Sequence, residues 1–426
     1  LDCLQDLGSR MRVAVVGGGW AGIAAAVELT ASGVATTLFE AGRVLGGRAR
    51  SVTVDGRTLD NGQHILLGAY HDTLALMRRV GADPERLLDR QPLRVIDAKD
   101  FHLELPKWPA PLNVAWGLLS ARGAGLSDKL STAWWMQRLR ARCFRLEKDC
   151  TVSEWLDAAG QNGRLRKHLW EPLCLAAMNI PADRASAQLF ANVLRDSLGS
   201  GKAGDTDLLL PSVELGKLLP EPAACWLKAH GATLCFGERI GTLTPTDAGC
   251  KIDGQFFDAI ILATGPQHAK LLLPTLPINS DFEPIATVYL AYPEEIQLAF
   301  PLFNVLGKYG QWVVDRSNGL LACVLSGHGD WETLTNEMLA AALADELQLG
   351  IPRWYKVIRE KRATFSARVN LSRINWQTAY PHLLIAGDHT WVDYPATLEG
   401  AVRSGLRAAR HLLKRASPMK RSAPAA

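Results

Sequence analysis

The sequence predicts an α/β fold with a Rossmann-type dinucleotide-binding domain, an interleaved α+β substrate domain and a helical cap. Three observations support this fold class. A G-x-G-x-x-G turn separates a strand pattern from a helix pattern at 12–33. Two buried-strand patterns, at 258–265 and 383–388, end on glycine-containing loops far along the chain. A Trp- and Pro-rich stretch at 106–145 interrupts the α/β pattern.

The dinucleotide-binding unit begins with an apolar, β-branched run at 12–16, which predicts a strand. An alanine-rich segment from Ile23 predicts a helix that ends at Gly33. A second strand, at 36–40, stops on Glu40. The order strand, glycine turn, helix, strand and acid within about 30 residues is that of the dinucleotide-binding βαβ unit.

The glycines of the turn each meet a physical requirement. Gly17 allows the tight turn, Gly19 lets the backbone approach a pyrophosphate, and Gly22 lets the helix lie close to the strand. The helix N-terminus then offers free N–H groups and a positive dipole end to the phosphates. Glu40, 18 residues beyond Gly22, is placed to accept hydrogen bonds from ribose hydroxyls.

Composition narrows the class of protein. A chain of 426 residues predicts two domains, or one domain with large insertions. The net charge of +4, without a basic block that contains aromatic residues, argues against a nucleic-acid partner. The eight cysteines show neither C-x-x-C nor a metal-like pairing with histidine, which predicts reduced thiols in a cytoplasmic enzyme and no metal site. The sequence has no run of 18 apolar residues, so it predicts no membrane-spanning helix.

A second glycine-rich loop directly follows Glu40. Arg43, Gly46, Gly47 and Arg48 form an R-x-x-G-G-R pattern, in which the glycines let the chain pass close to a cofactor. Arg48 can bind a phosphate in a bidentate manner. The alternative interpretation is a surface turn with a solvated arginine, which the position after Glu40 disfavours.

A predicted hairpin turns at Asp55-Gly56 and leads into the polar turn 60–64. Backbone amides around Gly62 and Gln63 can face a ring system. His64 lies in the same turn, and both a structural and a catalytic role remain open for it. Beyond it, the pattern at 71–90 predicts a helix, a break and a short second helix.

The Trp-rich stretch follows a predicted strand at 101–106 and carries basic residues among its apolar ones. Such a composition suits a surface that lies in a lipid interface. The other interpretation is a helical cap packed on the catalytic domain, with its basic residues in water. The residues concerned are Trp108, Pro109, Pro111, Trp116, Leu118, Leu119, Trp134, Trp135 and Met136, with Arg122, Lys129, Arg138, Arg140 and Arg142 among them.

The central part of the chain reads first as helical and then as α/β. A capping box opens a helix at Thr151, and 164–210 is predicted to be helical. Within it, the apolar segment 168–181 is expected either to line a tunnel or to form core. Strands are predicted at 231–245 and 249–265, the latter ending where the backbone runs close to a ligand.

The C-terminal half of the chain predicts an antiparallel sheet, followed by a buried strand and a long helix. Alternating strands at 284–330, a helix at 331–349 and a strand at 355–365 predict an antiparallel sheet. The buried strand LLIAGD then ends on Gly387-Asp388, and a helix is predicted from Ala396. Its N-terminus would present a positive dipole end to an electron-rich group.

Taken together, the motifs GGGWAG, RVLGGR, DNGQH, ILATGP and LLIAGDHTWVDYPATLEGAVRSG resemble the FAD-dependent amine oxidase and carotene desaturase superfamily. The resemblance extends from Val13 to Ala409. It implies FAD as the cofactor and a discontinuous FAD-binding domain formed by 11–70, 205–270 and 380–415. It further implies a substrate domain with its cap at 71–204 and 271–379, and a disordered tail at 416–426.

The resemblance also implies which residues contact FAD. They come from the turns and strand ends described above. They are Gly17, Gly19, Gly22, Glu40, Arg43, Gly46, Gly47, Arg48, Gly62, Gln63, His64, Ala263, Thr264, Gly265, Gly387, Asp388, Thr397 and Leu398.

The closing motif distinguishes activities within this superfamily. Flavin amine oxidases carry two aromatic residues there, whereas this chain has Thr397 at the second position and only Tyr394. The pattern YPATLEGAVRSG, with the Trp/Pro-rich cap, looks most like the bacterial hydroxysqualene dehydroxylase family of hopanoid biosynthesis. That likeness implies reduction of hydroxysqualene to squalene with reduced FAD. Alternatives are a phytoene-type carotenoid desaturase, a flavin amine oxidase, and an FAD-bearing lipid-binding or partner-docking module without turnover.

The implied reaction needs a dry tunnel and a proton or hydrogen bond for a departing allylic hydroxyl. Candidate donors are His64, His389, Asp393 and Tyr394. The implied partners are an isoprenoid lipid substrate and, functionally, squalene-synthase-like enzymes. The expected location is cytoplasmic, peripheral on the inner face of the cytoplasmic membrane through the cap 106–145. A second full glycine fingerprint is missing from the sequence, so the electron source for FAD stays open.

Overall fold

The computed structural model describes residues 11–97, 101–277, 281–305 and 307–416. In chain order the strands are β1 (Arg12–Val16), β2 (Ala35–Glu40), β3 (Ser51–Val54), β4 (Arg57–Asp60), β5 (Leu66–Leu67), β6 (Leu88–Gln91), β7 (Arg94–Asp97), β8 (Phe101–Glu104), β9 (Leu208–Pro211), β10 (Thr233–Phe236), β11 (Leu243–Pro245), β12 (Cys250–Ile252), β13 (Gln255–Phe257), β14 (Ala259–Leu262), β15 (Phe282–Ala291), β16 (Leu302–Asn304), β17 (Trp312–Asp315), β18 (Leu320–Ser326), β19 (Trp354–Phe365) and β20 (Leu383–Ile385). The helices are α1 (Trp20–Ala31), α2 (His71–Arg79), α3 (Pro84–Leu87), α4 (Leu112–Ser120), α5 (Leu126–Ala141), α6 (Val152–Ala158), α7 (Glu171–Met178), α8 (Ala187–Ser197), α9 (Leu215–Leu218), α10 (Pro220–Ala229), α11 (Pro266–Leu272), α12 (Asn336–Leu347) and α13 (Leu398–Ala416).

A five-stranded parallel sheet, in the order β10-β2-β1-β14-β20, forms the base of the cofactor site. Its strands come from three distant parts of the chain, and Val13 pairs with both Thr36 and Ala259. Because the strands are parallel, the loops that follow β1, β2, β14 and β20 all meet at one edge. The predicted Rossmann-type α/β fold is confirmed, and so are the strands at 12–16, 36–40 and 383–385.

Helix α1 packs between this sheet and the C-terminal helix α13, and both contacts require glycine. A Cβ at Gly22 would lie 1.8 Å from the carbonyl oxygen of Gly17. A Cβ at Gly405 would lie 2.0 Å from the carbonyl oxygen of Ala21. Backbone therefore packs directly against backbone on two sides of α1.

A second sheet is antiparallel, in the order β16-β17-β18-β15-β19. β15 is its longest central strand and pairs with both β18 and β19. This sheet confirms the alternating strands predicted at 284–330 and 355–365. The predicted helix at 331–349 is shorter and corresponds to α12, preceded by a 3₁₀ turn at Asp330–Thr333.

The prediction of helices throughout 164–210 is wrong at its C-terminal end. Leu208–Pro211 form β9, which pairs with β5 and β6 in a small antiparallel sheet. These four residues are buried, and an apolar run of this length fits a buried strand as well as a helix. Strand pairing with distant residues decided between the two.

The Trp-rich stretch forms α4 and α5, as expected for a helical cap. Its apolar residues divide into two sets. Leu118, Trp135 and Met136 are buried, and the Trp135 ring packs 4.8 Å from that of Trp155. Trp108, Trp116 and Trp134 are about half exposed or more. The stretch is therefore a packed cap that also presents a large apolar face.

The C-terminal helix, the cysteines and the lengths of the helices bear on the remaining sequence predictions. Helix α13 continues through Ala416, so residue 416 is helical and not the first residue of a disordered tail, whereas 417–426 lie outside the described residues. The seven described cysteines carry free thiols. Among the described residues, no helix combines the length and apolarity needed to cross a bilayer.

The contact between α1 and α13 generates a stability prediction. Gly405→Ala should lower the free energy of unfolding by about 1–3 kcal/mol, because the added methyl group meets the backbone of Ala21. This cost should exceed the gain in helix propensity of about 1 kcal/mol. Chemical denaturation measures it. Gly201→Ala is the control, since a Cβ there meets no atom within 4 Å and its effect should stay within about 0.5 kcal/mol. Equal effects of the two substitutions would contradict the packing argument.

Candidate cofactor and active site

A cavity of about 1050 Å³ lies at the carboxyl edge of the parallel sheet and extends towards the antiparallel sheet. Of the residues predicted to contact the cofactor, all but Gly22 line it. Gly22 instead packs against Gly17 and so shapes the turn. The catalytic candidates His64, His389 and Tyr394 also line the cavity.

The prediction of Asp393 as a candidate proton donor is wrong. Its side chain is exposed, and the residue is not part of the cavity wall. Its backbone carbonyl accepts a hydrogen bond from Asn192 at 2.9 Å. Asp393 thus anchors the loop before α13 and does not face the reaction space.

The first glycine turn is fixed by its own backbone and by Glu40. Gly17 has a φ of 107° and donates to the Phe39 carbonyl at 2.8 Å. The Glu40 carboxylate accepts hydrogen bonds from the amides of Gly18 at 2.7 Å and Gly42 at 2.6 Å. Each carboxylate oxygen keeps a further acceptor site. Glu40 therefore holds the two loops and still presents acceptors to the cavity.

The second glycine loop lies directly on the first. Gly46 donates to the Gly18 carbonyl at 2.8 Å, and Gly46 and Gly19 form an isolated bridge. A Cβ at Gly47 would lie 3.1 Å from the Cα of Gly19. This close approach makes the two loops one continuous glycine-lined wall, so the glycines of the R-x-x-G-G-R segment pack on the first turn, while Arg43 and Arg48 keep solvent exposure.

Arg48 and Asp388 form an ion pair across 340 residues of sequence. Nη2 of Arg48 lies 2.7 Å from both carboxylate oxygens of Asp388, and Nη1 donates to the Ala363 carbonyl. Burial by itself raises the pKa of Asp388, but its neighbours Arg48 and His389 together outweigh burial and hold this pKa well below its usual range. The sequence suggested a phosphate as the partner of Arg48, and the structure gives it a carboxylate.

His64 is held by a short-range hydrogen bond in the polar turn. Its Nδ1 donates to the Gly62 carbonyl at 2.8 Å. Burial lowers the pKa of His64 and the positive charge of Arg48 lowers it further, while the Gly62 carbonyl opposes both. The ring is therefore neutral at neutral pH, which suits a hydrogen-bond acceptor better than a proton donor.

His389 lies beside the Arg48–Asp388 pair. It is 6% exposed, and its Nδ1 is 3.6 Å from Asp388 Oδ1, beyond hydrogen-bonding distance. Neither ring nitrogen has a hydrogen-bond partner among the described residues. Its imidazole packs against Gly387, where a Cβ would lie 2.3 Å from the ring.

Helix α13 begins two residues later than predicted. Thr397 precedes its first residue, and the Thr397 hydroxyl oxygen accepts from the Gly400 amide at 3.0 Å, as an N-cap does. Thr397 and Leu398 both line the cavity, so the positive end of the helix dipole faces it.

Glu399, in the first turn of α13, has a role that the sequence does not reveal. It is fully buried and accepts hydrogen bonds from the Asp72 amide at 3.1 Å and from the Thr73 amide at 2.9 Å. These are amides of the first turn of α2, which otherwise lack partners within that helix. Glu399 thus caps another helix and does not reach the cavity wall.

Asp196 also lines the cavity, although the sequence did not mark it as a site residue. It lies near the end of α8, and its carboxylate accepts a hydrogen bond from the Tyr394 hydroxyl. Arg403 in turn donates to the Tyr394 hydroxyl oxygen at 3.0 Å. Burial, reinforced by Asp196, raises the pKa of Tyr394 well above its usual value. No local sequence pattern marks Asp196, because its partner is 198 residues away.

The far wall of the cavity is apolar. Segment 168–181 supplies part of it and also part of the core, so both interpretations of that segment hold. Leu173, Ala176 and Ala177 line the cavity, whereas Cys174 and Met178 are buried among other core residues. The antiparallel sheet adds further apolar side chains to this wall, namely Phe282, Ile285, Leu302, Trp312 and Val324.

The chemistry of the cavity fits FAD. Glycine loops, a carboxylate at the end of β2 and two helix N-termini meet at one sheet edge, as a pyrophosphate and ribose require. Several polar atoms of the wall have no partner among the described residues and can bind a polar ring or ribityl chain. They are Gln63 Oε1, Thr264 Oγ1, Gln267 Oε1 and the two ring nitrogens of His389.

Comparisons with known proteins agree with this geometry. A hydroxysqualene dehydroxylase from Rhodopseudomonas palustris is 30% identical, over 93% of this chain and 97% of the relative. A probable zeta-carotene desaturase from Synechococcus elongatus is 23% identical, over 95% of this chain and 99% of the relative. Among solved structures, a putrescine oxidase bound to putrescine superposes with a TM-score of 0.67, at 17% identity, over 96% of this chain and 100% of that one.

The contacts of Glu40 generate a binding prediction. Glu40→Ala should weaken FAD binding by about 1–3 kcal/mol, since it removes acceptors for ribose hydroxyls and frees the two glycine loops. Flavin-fluorescence titration of the apoprotein measures the affinity. Glu40→Gln, which keeps one acceptor oxygen, should give a smaller loss. Unchanged affinity in Glu40→Ala would show that this carboxylate does not hold the cofactor.

The match to a protein-family model includes nearly all of the residues that form the site. The family model described as flavin containing amine oxidoreductase matches residues 20–413, from the start of α1 almost to the end of α13. The cradle at the sheet edge, the fit of its polar groups to FAD and this match lead to one conclusion: the chain belongs to the flavin-containing amine oxidoreductase family.

Proposed function

We propose that this FAD-dependent oxidoreductase acts on a long isoprenoid lipid and reductively removes the hydroxyl group of hydroxysqualene to give squalene. The observation that carries the proposal is the apolar wall, which continues the cofactor cavity between α7, α8 and the antiparallel sheet. Relatives named hydroxysqualene dehydroxylase, at 26–30% identity over 93% of the chain, support it.

The apolar wall would exclude water from the reacting carbon. An allylic alcohol can ionise to a stabilised cation, which water would trap. Leu173, Ala177 and Val193 give that region no hydrogen-bonding side chains. Bound FAD, in its reduced form, supplies a hydride to carbon. The residues of this chain would then have to assist the departure of the hydroxyl group.

We propose Tyr394 as the donor for this departing hydroxyl; its single O–H, which Asp196 accepts in this structure, would turn to the substrate oxygen. The raised pKa keeps its phenol protonated across the physiological pH range. Asp196 and Arg403 fix the hydroxyl at the cavity wall. In the proposed step the carbon–oxygen bond breaks, the oxygen takes a proton and leaves as water, and a hydride adds to the carbon. His64 and His389 stay as alternative candidates at the same wall.

A carotenoid desaturase is the second candidate, because the same apolar wall suits a polyene and the desaturase relatives match 95% of this chain. Flavin amine oxidation is the third candidate. Thr397 disfavours it, since its short side chain caps α13 where that class places an aromatic ring. An FAD-bearing lipid-binding or partner-docking module without turnover is the remaining alternative.

The cellular setting follows from the proposed substrate. We propose functional coupling to a squalene-synthase-like enzyme that would supply the isoprenoid substrate. A lipid of this length partitions into bilayers, which favours a peripheral position on the inner face of the cytoplasmic membrane.

Direct turnover tests the main proposal. Anaerobically reduced enzyme, incubated with hydroxysqualene, should yield squalene together with oxidised flavin in equal amount. Gas chromatography measures the product, and the flavin absorbance measures the oxidation. Flavin reoxidation without squalene, or no reaction at all, would contradict it. A longer polyene absorbance on incubation of oxidised enzyme with phytoene would favour the desaturase instead.

The role of Tyr394 is tested by removing its hydroxyl group. Tyr394→Phe should lower the turnover of hydroxysqualene by about 10²–10⁴-fold, because a positioned proton donor contributes that much. FAD content, from the visible spectrum, should stay at the wild-type level. Tyr380→Phe is the matched control, since Tyr380 is 42% exposed and does not line the cavity. Wild-type turnover in Tyr394→Phe would assign the proton to another group.

A further inference from the structure

We propose that the cap of this protein docks on the surface of an anionic phospholipid bilayer through one face of α4 and α5. This docking surface is defined by seven side chains. They are Trp108, Leu112, Trp116, Leu119, Leu126, Leu130 and Trp134.

These exposed side chains all come from one short part of the chain, residues 108–134. Each is between 47% and 67% exposed. The other large apolar side chains that are exposed among the described residues, such as Val44, Leu271 and Ile351, are scattered over distant elements. Single exposed apolar residues need no explanation, whereas a contiguous patch of this kind marks an interaction site.

Helical spacing places six of the seven side chains in two rows, one on each helix. Leu112, Trp116 and Leu119 follow one another at intervals of four and three residues along α4. Leu126, Leu130 and Trp134 repeat every four residues along α5.

Contacts between the elements hold the two rows together. The Trp108 ring lies 5.7 Å from that of Trp116, before the start of α4. Lys129 on α5 donates to the Leu119 carbonyl at the end of α4, at 2.8 Å. The end of α4 therefore lies beside the N-terminal part of α5, which brings the two apolar rows next to each other.

The opposite faces of these helices show that the exposure is not a packing defect. Asn113, Val114 and Leu118 of α4 are buried, as are Trp135 and Met136 of α5. Each helix thus has one face that packs on the protein and a second apolar face with no partner among the described residues. A helix that is apolar on both faces needs an apolar environment on each.

Charge around the surface favours a lipid headgroup layer. Segment 107–145 contains seven basic residues and a single acidic one, while the whole chain has a net charge of only +4. The single acid, Asp128, accepts a hydrogen bond from the Leu165 amide within the protein. The exposed basic residues are Lys107, Arg122, Arg138, Arg142 and Arg145. Basic residues beside an interfacial apolar face attract anionic lipid, and Trp is enriched at that interface.

The same charge argues against a second copy of this chain as the occupant. A two-fold contact would place the basic rims of two identical surfaces near each other. Like charges opposed across an interface are unfavourable. An anionic bilayer satisfies both the apolar face and the basic rim.

The docking surface is connected to the wall of the cavity. Asn113, beside the exposed Leu112, donates from Nδ2 to the Thr206 hydroxyl at 2.9 Å. Thr206 lines the cavity. Docking would therefore bring this part of the cavity wall next to the bilayer. Delivery of a lipid substrate from the bilayer to the cavity rests on the proposed function, whereas docking itself does not.

Vesicle binding tests the proposal without any substrate. The FAD-loaded enzyme should sediment with vesicles that contain phosphatidylglycerol and much less with pure phosphatidylcholine. Binding should weaken as salt is raised, because the basic rim is screened. The double variant Trp116→Ser/Trp134→Ser should bind at least about 10-fold more weakly, since two apolar anchors are lost.

Two controls make the outcome decisive. Ile351→Ser removes a side chain that is 95% exposed but far from the cap in sequence, and it should bind vesicles like the wild type. The visible flavin spectrum reports whether each variant is folded. Equal binding by the double variant, or no binding of wild type to anionic vesicles, would overturn the proposal. A wild-type dimer that the double variant dissociates, without vesicle binding, would assign the surface to self-association. Wild-type enzyme that binds anionic vesicles but forms no squalene would contradict the proposed function alone.

Discussion

Direct backbone packing around α1 sets the positions of the elements that form the cofactor site. Gly22 lets the start of α1 lie against the Gly17 turn, and Gly405 lets α13 lie against the backbone of Ala21. Because no side chain separates these elements, the N-terminus of α1 and the N-terminal region of α13 reach the same cavity. One helix end can then serve the phosphates of FAD and the other its flavin ring.

Two acidic residues of the C-terminal motif tie this arrangement to the rest of the chain. Asp388 binds Arg48 from the second glycine loop, and Glu399 caps the first turn of α2. Each contact joins segments more than 300 residues apart. Such carboxylates could be mistaken for catalytic groups. Their hydrogen bonds show instead that they position the loops and helices from which the site is built.

The cavity joins two chemical environments within one space. Glycine loops, Glu40 and polar atoms that have no partner in the described part of the chain occupy the end next to the parallel sheet, while leucine, alanine and aromatic side chains occupy the other. This contrast suits a polar cofactor that meets an apolar substrate. Tyr394 and Asp196 lie in the wall of the same cavity, where a polar group of such a substrate would have to be stabilised.

Local sequence patterns are enough to predict the strands of the parallel and antiparallel sheets and most of the cofactor cradle. Gly17, Glu40 and the Gly387-Asp388 loop follow strands whose ends must meet at one edge. Other features depend on partners that are distant in the sequence, so no local pattern predicts them. Leu208–Pro211 became a strand through pairing with β5 and β6, Asp196 met Tyr394, and Asp393 turned outwards. Tertiary structure also separated the buried Trp135 from the exposed Trp134, since neighbouring residues of a helix point in different directions and only packing shows which direction is covered.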